Sequence, residues 1–269
     1  MIAEIISIGN ELLIGKVLNT NAQWLCRRLT SLGINVKRVI VVPDDLNEIS
    51  NCLNESISRK PNYIFTTGGL GPTFDDMTLK AFSNAFDLEL ILNEEALRMI
   101  SLKVEELAKK GIIKHKELTP YRLKMATLPK GSKPLPNPVG TAPGVYLVLN
   151  NCEIYILPGV PDEMKAIFEE NIFPRIKEKS KLKFIEKSLR LIGIAESDLS
   201  PIIEQAMKNN PGVYIKSHPK RGEGTSLIEL HFSTMKEEIK EGEKIINKAI
   251  EEISSQIIKK GATIEEIPI

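Results

Sequence analysis

The chain has 269 residues, 42% of them hydrophobic, with 36 Lys+Arg against 35 Asp+Glu and a formal net charge of +1. That length suits one large domain or two modest ones, and the balanced charge excludes a global field drawing it to nucleic acid or an acidic membrane. No apolar run reaches membrane-spanning length, and the scattered Cys26, Cys52 and Cys152 suit a reducing cytoplasm rather than a disulfide framework or zinc ribbon.

The opening stretch to Ile8 lacks a basic leader and carries Glu4, so Ile2 to Ile8 reads as a buried strand and not as part of a signal peptide. Asn21 to Leu32 follows as a helix with Leu25, Leu29 and Leu32 at helical spacing, stopped by Gly33. Val36 to Val42 is a second strand, Leu46 to Ser58 a helix and Tyr63 to Thr67 a third strand. That alternation predicts a mostly parallel sheet with helices on both faces. Helical patterns return over 78–86, 94–110 and 120–126, and the Pro- and Gly-rich "LPNPVGTAPG" (135–144) breaks them. Val145 to Leu149 and Glu153 to Leu157 pair around Asn150 and Asn151, and "PGVPDEM" opens another helix.

The lysine-rich stretch 177–183 marks a boundary between 1–180 and 181–269. Beyond it come a strand (187–194), a helix (196–207), two strands (212–217 and 226–232), a long helix (236–258) and a last strand (263–267). This β-α-β-β-α-β order is that of a ferredoxin-like split unit, a smaller α+β domain. His115, His218 and His231 are dispersed and read as solvated or structural.

Ligands of an open parallel sheet sit beyond the carboxyl ends of its strands. Three strings fall there: "GNELLIG", "TGGLGPTFDD" and "LPGVPDEM". Gly68, Gly69 and Gly71 suit close backbone approach to a phosphate, aided by a helix expected to begin near Asp76. Asp75 and Asp76 then serve as oxygen ligands for a divalent cation, Mg2+ or similar, with Glu11 a third carboxylate from the neighbouring strand. Plainer readings stand beside these. An Asp before a helix is often its N-cap, Glu11 suits the first turn of a helix, Asn19 to Asn21 suits a cap, and Pro158 and Pro161 suit punctuation.

The strings "IISIGNELLIGKVLNTNAQWL", "TTGGLGPTFDDMT", "KMATLP", "NPVGTAPGV" and "YILPGVPDEM" together resemble the CinA family, whose first domain is of the molybdopterin-binding MoaB/Mog type. "IGIAESDLSPII" resembles the start of the small KH-like α/β module that follows it. Two departures matter. Asn10 stands where many relatives have Asp, and the chain ends at Ile269 without the amidohydrolase domain of longer members.

The resemblance implies metal-dependent hydrolysis of the pyrophosphate in a nucleotide sugar such as ADP-ribose. It places Asp75, Asp76 and Glu11 in catalysis, and Gly68, Gly69, Gly71 and Thr73 on a phosphate. Asn21, Gly140, Gly144, Gly159, Val160, Pro161 and Glu163 fall to the rest of the substrate. Molybdopterin binding or adenylylation is the alternative, and a non-catalytic nucleotide- or RNA-binding module is a third. Val160 favours the CinA form of its loop. The partner expected is a small molecule, with no nucleic acid or membrane, in a homo-oligomer. Arg221 to Gly224 superficially resembles a nucleic-acid-clamping GxxG, but it falls between two strands and reads as a hairpin turn.

Overall fold

The computed structural model describes residues 1–114, 117–220 and 226–267. His115 and the Arg221 to Gly224 turn therefore lie outside the described residues. Contacts divide the chain into two compact units, 1–30 with 34–179 and 31–33 with 180–269.

In the first unit, β1 (Ile2–Ile8) is buried from Ala3 onward, because it lies between two other strands and its apolar residues, interrupted only by the buried Glu4 and Ser7, are covered on both faces. A single helical turn, α1 (Asn10–Leu13), and the longer α2 (Thr20–Ser31) lead to β2 (Asn35–Val42). α3 (Leu46–Ser58) is capped by Asp45, whose side chain accepts the N–H groups of Asn47 and Glu48, and it delivers the fully buried β3 (Tyr63–Thr67). α4 (Thr78–Phe86), β4 (Leu90–Leu92), α5 (Glu94–Lys109), α6 (Pro120–Met125), β5 (Thr127–Pro129) and β6 (Lys133–Leu135) follow. β7 (Gly144–Leu149) and β8 (Cys152–Leu157) form a hairpin in which Asn150 and Asn151 take the positive φ values of 50° and 64° that a tight turn needs. α7 (Pro161–Ile167), a π-helical turn (Phe168–Ile172) and α8 (Phe173–Lys179) complete the unit.

The six-stranded sheet runs β2-β1-β3-β8-β7-β6, with β7 running against the other five strands. The chain leaves β1 for β2 on one side and returns to β3 on the other. This places a topological switch between β1 and β3. A crevice at the carboxyl ends follows from that reversal. The short β4, β5 and β6 carry too few residues for a period-2 pattern to reveal them in the sequence.

The second unit contains β9 (Lys183–Ile192), α9 (Glu196–Asn209), β10 (Tyr214–Lys220), β11 (Leu227–Lys236), α10 (Ile239–Lys259) and β12 (Thr263–Ile267). Its antiparallel sheet has the order β10-β11-β9-β12, with its own core from Ile185 to Ala262. β10 and β11 pair antiparallel in register Tyr214↔Ser233 to Lys220↔Leu227, which is a hairpin and not a helix-to-helix junction.

Candidate functional site at the carboxyl edge of the parallel strands

Loops following β1, β2, β3 and β8 meet over the switch point. They enclose a cavity of about 670 Å³, within the range of small-molecule sites. Gly9 and Glu11 come from the first loop, Asp44 from the second, Gly68 to Pro72 with Asp75 and Asp76 from the third, and Pro158 to Val160 with Glu163 from the fourth. α5 and α6 supply the far wall through Val104, Leu107, Tyr121, Arg122 and Met125.

The glycine-rich loop is held at its base and open at its tip. Gly68 donates its N–H to Leu157 O at 3.0 Å, while its own carbonyl accepts the Thr78 hydroxyl at 2.8 Å. The Gly69 carbonyl accepts the Thr78 N–H at 3.2 Å. Glycine is required at both positions. Their φ values are +108° and +66°, and a Cβ would overlap the Ile8 carbonyl oxygen at Gly68 and the Thr78 hydroxyl at Gly69. Gly68 thus spends its N–H inside the protein, contrary to the expectation that it faces a ligand. The N–H groups of Gly69, Leu70 and Gly71 have no acceptor among the described residues.

Neither aspartate caps α4, which begins at Thr78 after Met77 rather than near Asp76. The loop between closes on itself instead. Asp76 Oδ2 accepts the Thr73 N–H at 2.8 Å and its hydroxyl at 2.6 Å. The same Thr73 hydroxyl, its single proton shared between the two carboxylates, also meets Asp75 Oδ1 and holds the exposed Asp75 carboxyl below its ordinary range. Lys124 Nζ donates to the Thr73 carbonyl from α6. Thr73 therefore orients the acidic pair and stands outside the cavity lining.

Glu163 lines the fourth side, with Oε2 accepting from Asn137 Nδ2 at 2.7 Å. Asn21 and Pro161 line a smaller adjoining pocket that shares Glu11 and Gly159 with the main one, and Asn21 Nδ2 donates to Gly159 O at 2.7 Å. Gly140 and Gly144 are outside the lining. Gly144 opens β7 beneath Ile167, and Gly140 leaves room for Glu163.

Asp44 and Arg122 were not anticipated from the sequence. Asp44, at the end of β2, accepts the Asn10 N–H at 2.8 Å. "VPDD" after a predicted strand was the available signal. Arg122 sits on a six-residue helix with no such signal.

Among the described residues the lining thus carries five carboxylates (Glu11, Asp44, Asp75, Asp76 and Glu163) and one guanidinium, that of Arg122. Among the described residues no three His, Cys, Asp or Glu side chains are grouped as a ready-made metal cage, and His231 pairs with Glu186 at 2.8 Å. Hard oxygen donors in excess suit a Mg2+-type ion. Such an ion takes one or two carboxylates and completes its shell with water and ligand phosphate. The fit rests on charge and donor type.

Residues 4–178 match the family model described as "Probable molybdopterin binding domain". A protein of Pyrobaculum arsenaticum is 44% identical over 253 residues, covering 93% of this chain and 92% of its own. One from Sulfurisphaera tokodaii is 42% identical over 263 residues, 97% of each chain. The crystal structure of the protein CinA, of unknown function, from Thermoplasma acidophilum is 40% identical, with a TM-score of 0.58. It matches 65% of this chain and 97% of that one.

Proposed function

The chain belongs to the family of molybdopterin-binding domains, and on that premise we propose that its cavity hydrolyses the pyrophosphate of a nucleotide sugar such as ADP-ribose. One observation carries the reading. Three successive N–H groups, at Gly69, Leu70 and Gly71, lack acceptors at the rim of a cavity otherwise rich in carboxylates. Such a run of donors suits a phosphate, and an anion so close to Asp75 and Asp76 calls for a cation between them.

Asp75 and Asp76 would hold that divalent ion. When bound, it supplies neutralising charge to the pyrophosphate and lowers the pKa of water. The chain's own residues do the rest. The free N–H groups fix one phosphate, Thr73 keeps the two aspartates in place, and Pro158 and Val160 wall the nucleoside. The Glu11 carboxylate has no hydrogen-bond partner among the described residues and is the candidate to take the proton of the attacking water. The water oxygen forms a bond to phosphorus as the bond from phosphorus to the bridging oxygen breaks, giving AMP and ribose 5-phosphate.

The test is incubation of purified protein with ADP-ribose, and separately with molybdopterin plus ATP, each with several divalent metals and products identified by mass. AMP and ribose 5-phosphate in the first arm support the reading. Adenylylated molybdopterin alone replaces it.

A further inference from the structure

The segment from Asn137 to Val145 gives the cavity only Thr141 and Ala142, yet its most constrained side chain is Asn137, which is outside the lining. Asn137 spends its whole amide. Oδ1 accepts the N–H groups of Val139 at 3.1 Å and Gly140 at 2.8 Å, and Nδ2 donates to Ala142 O at 2.8 Å and Glu163 Oε2 at 2.7 Å. The loop is also pinned from outside by Lys103 Nζ on Pro138 O at 2.7 Å and Asn171 Nδ2 on Pro136 O at 3.2 Å. Gly140 completes the arrangement, because a Cβ there would overlap the Glu163 carboxyl carbon. Closing a surface loop requires none of the reach to Glu163. One of the four Asn137 bonds, and the space left at Gly140, are spent on a carboxylate of α7.

That carboxylate is only half used. Glu163 Oε2 is held by Asn137, and Oε1 has no hydrogen-bond partner among the described residues. Its place in the sheet says what it can meet. The strand order puts Asp44 and Glu11 on one side of the glycine-rich loop and Glu163 on the other. Neighbouring strands lie about 4.8 Å apart. Glu163, over β8, therefore flanks on that side whatever group a phosphate seated on the glycine-rich loop carries. A fixed carboxylate accepts from hydroxyls and repels further phosphate, so it recognises a sugar and not a third phosphate.

We propose that Glu163 is the specificity-determining acceptor for the vicinal hydroxyls of a ribose in the bound nucleotide, and that Asn137 is the positioning residue that aims it. This rests on the nucleotide-sugar reading above and adds the group recognised beside the phosphates.

The test is calorimetric binding of the two product halves, so that no turnover intervenes. AMP is compared with 2′,3′-dideoxy-AMP, and ribose 5-phosphate with 2-deoxyribose 5-phosphate. In the wild type one pair should differ by about 10- to 100-fold in affinity, the value of a hydroxyl bonded to a charged acceptor. Glu163→Gln should close that gap to within about 3-fold by weakening the hydroxylated member alone. Asn137→Asp keeps the acceptor for Val139 and Gly140 but sets a second carboxylate against Glu163. Its affinity for the hydroxylated ligand should fall near neutral pH and recover at about pH 5, where the pair shares a proton. A loop that merely closes would give no such recovery, and a flat profile would overturn the role of Asn137. No gap in either pair, or a gap that survives Glu163→Gln, would overturn the role of Glu163. A gap with no hydrolysis of ADP-ribose sinks the hydrolase reading and leaves this inference standing.

Discussion

Acids at the two ends of the parallel strands are treated in opposite ways. Towards the amino end, Glu4 is 1% exposed and fully bonded. Arg59 reaches its two oxygens at 2.9 and 2.7 Å, and Arg38 adds a third bond at 3.0 Å. Glu153, at the start of β8, is bonded by Arg175 at 3.0 Å, by the Tyr155 hydroxyl at 2.9 Å and by Lys179. Burial alone would raise both carboxyls, but Arg59, Ser56 and Arg38 at Glu4, and Lys179, Tyr155 and Arg175 at Glu153, hold them below their ordinary range. At the carboxyl end none of the five cavity carboxylates is ion-paired within the described residues, and Asp75 and Asp76 are held by a neutral threonine. Charge matched inside the fold stabilises it. Charge left unmatched at the mouth of a cavity is available to something that binds there.

The largest effect should come from removing that unmatched charge. Asp75→Asn and Asp76→Asn should each lower ADP-ribose hydrolysis by at least about 100-fold, since a bound ion contributes several kcal/mol to phosphoryl transfer. Unfolding free energy should move by no more than about 0.5 kcal/mol. Normal turnover in both variants would reduce the acidic pair to a loop closure.

Glu4→Ala is the mirror experiment. It should cost about 2–3 kcal/mol in denaturant melts, below the range for a fully buried pair because both arginines can turn to solvent. The turnover of folded protein should be unchanged, and a loss of activity without a loss of stability would erase the contrast between the two ends.

Thr78→Val tests the base of the glycine-rich loop. It removes the buried hydroxyl bond to Gly68 O and should cost about 1 kcal/mol while slowing hydrolysis severalfold, read by melts and initial rates on one preparation.

Acid titration sharpens the comparison further. Glu4 and Glu153 have folded pKa values below their unfolded value of 4.5, so the unfolded chain takes up protons first as pH falls. Their stabilisation is full above that value and is lost as pH drops through the depressed range. Melts of Glu4→Gln should show a shallower acid decline than the wild type, and equal slopes would mean that other groups carry it.

The smallest effect is expected at Val160, which is 53% exposed on the cavity wall. Val160→Asp should raise the KM for ADP-ribose severalfold, because binding the nucleoside would desolvate the new charge, and an unchanged KM would place that loop outside the substrate path.

Much of this architecture is legible in the residue order. β1, α3, β3 and β12 have the bounds that apolar runs and neighbouring turn residues predict, because these signals act over a few residues. The strings that gather at the cavity are legible too, since the carboxyl ends of parallel strands share one edge of the sheet. Three things were decided only by the tertiary fold. Which N–H of the glycine-rich loop is spent depends on Leu157, far along the chain from Gly68. Whether Asp76 caps a helix or closes a turn depends on Thr73 competing for it and Thr78 turning back to Gly68. That Asn137 belongs to Glu163 depends on a contact between a loop and a helix from different parts of the sequence. Hydrophobic period and turn chemistry are properties of neighbours in the chain. The saturation of a hydrogen-bonding group is a property of neighbours in space, and it separates the quiet acids of this sheet from the exposed ones.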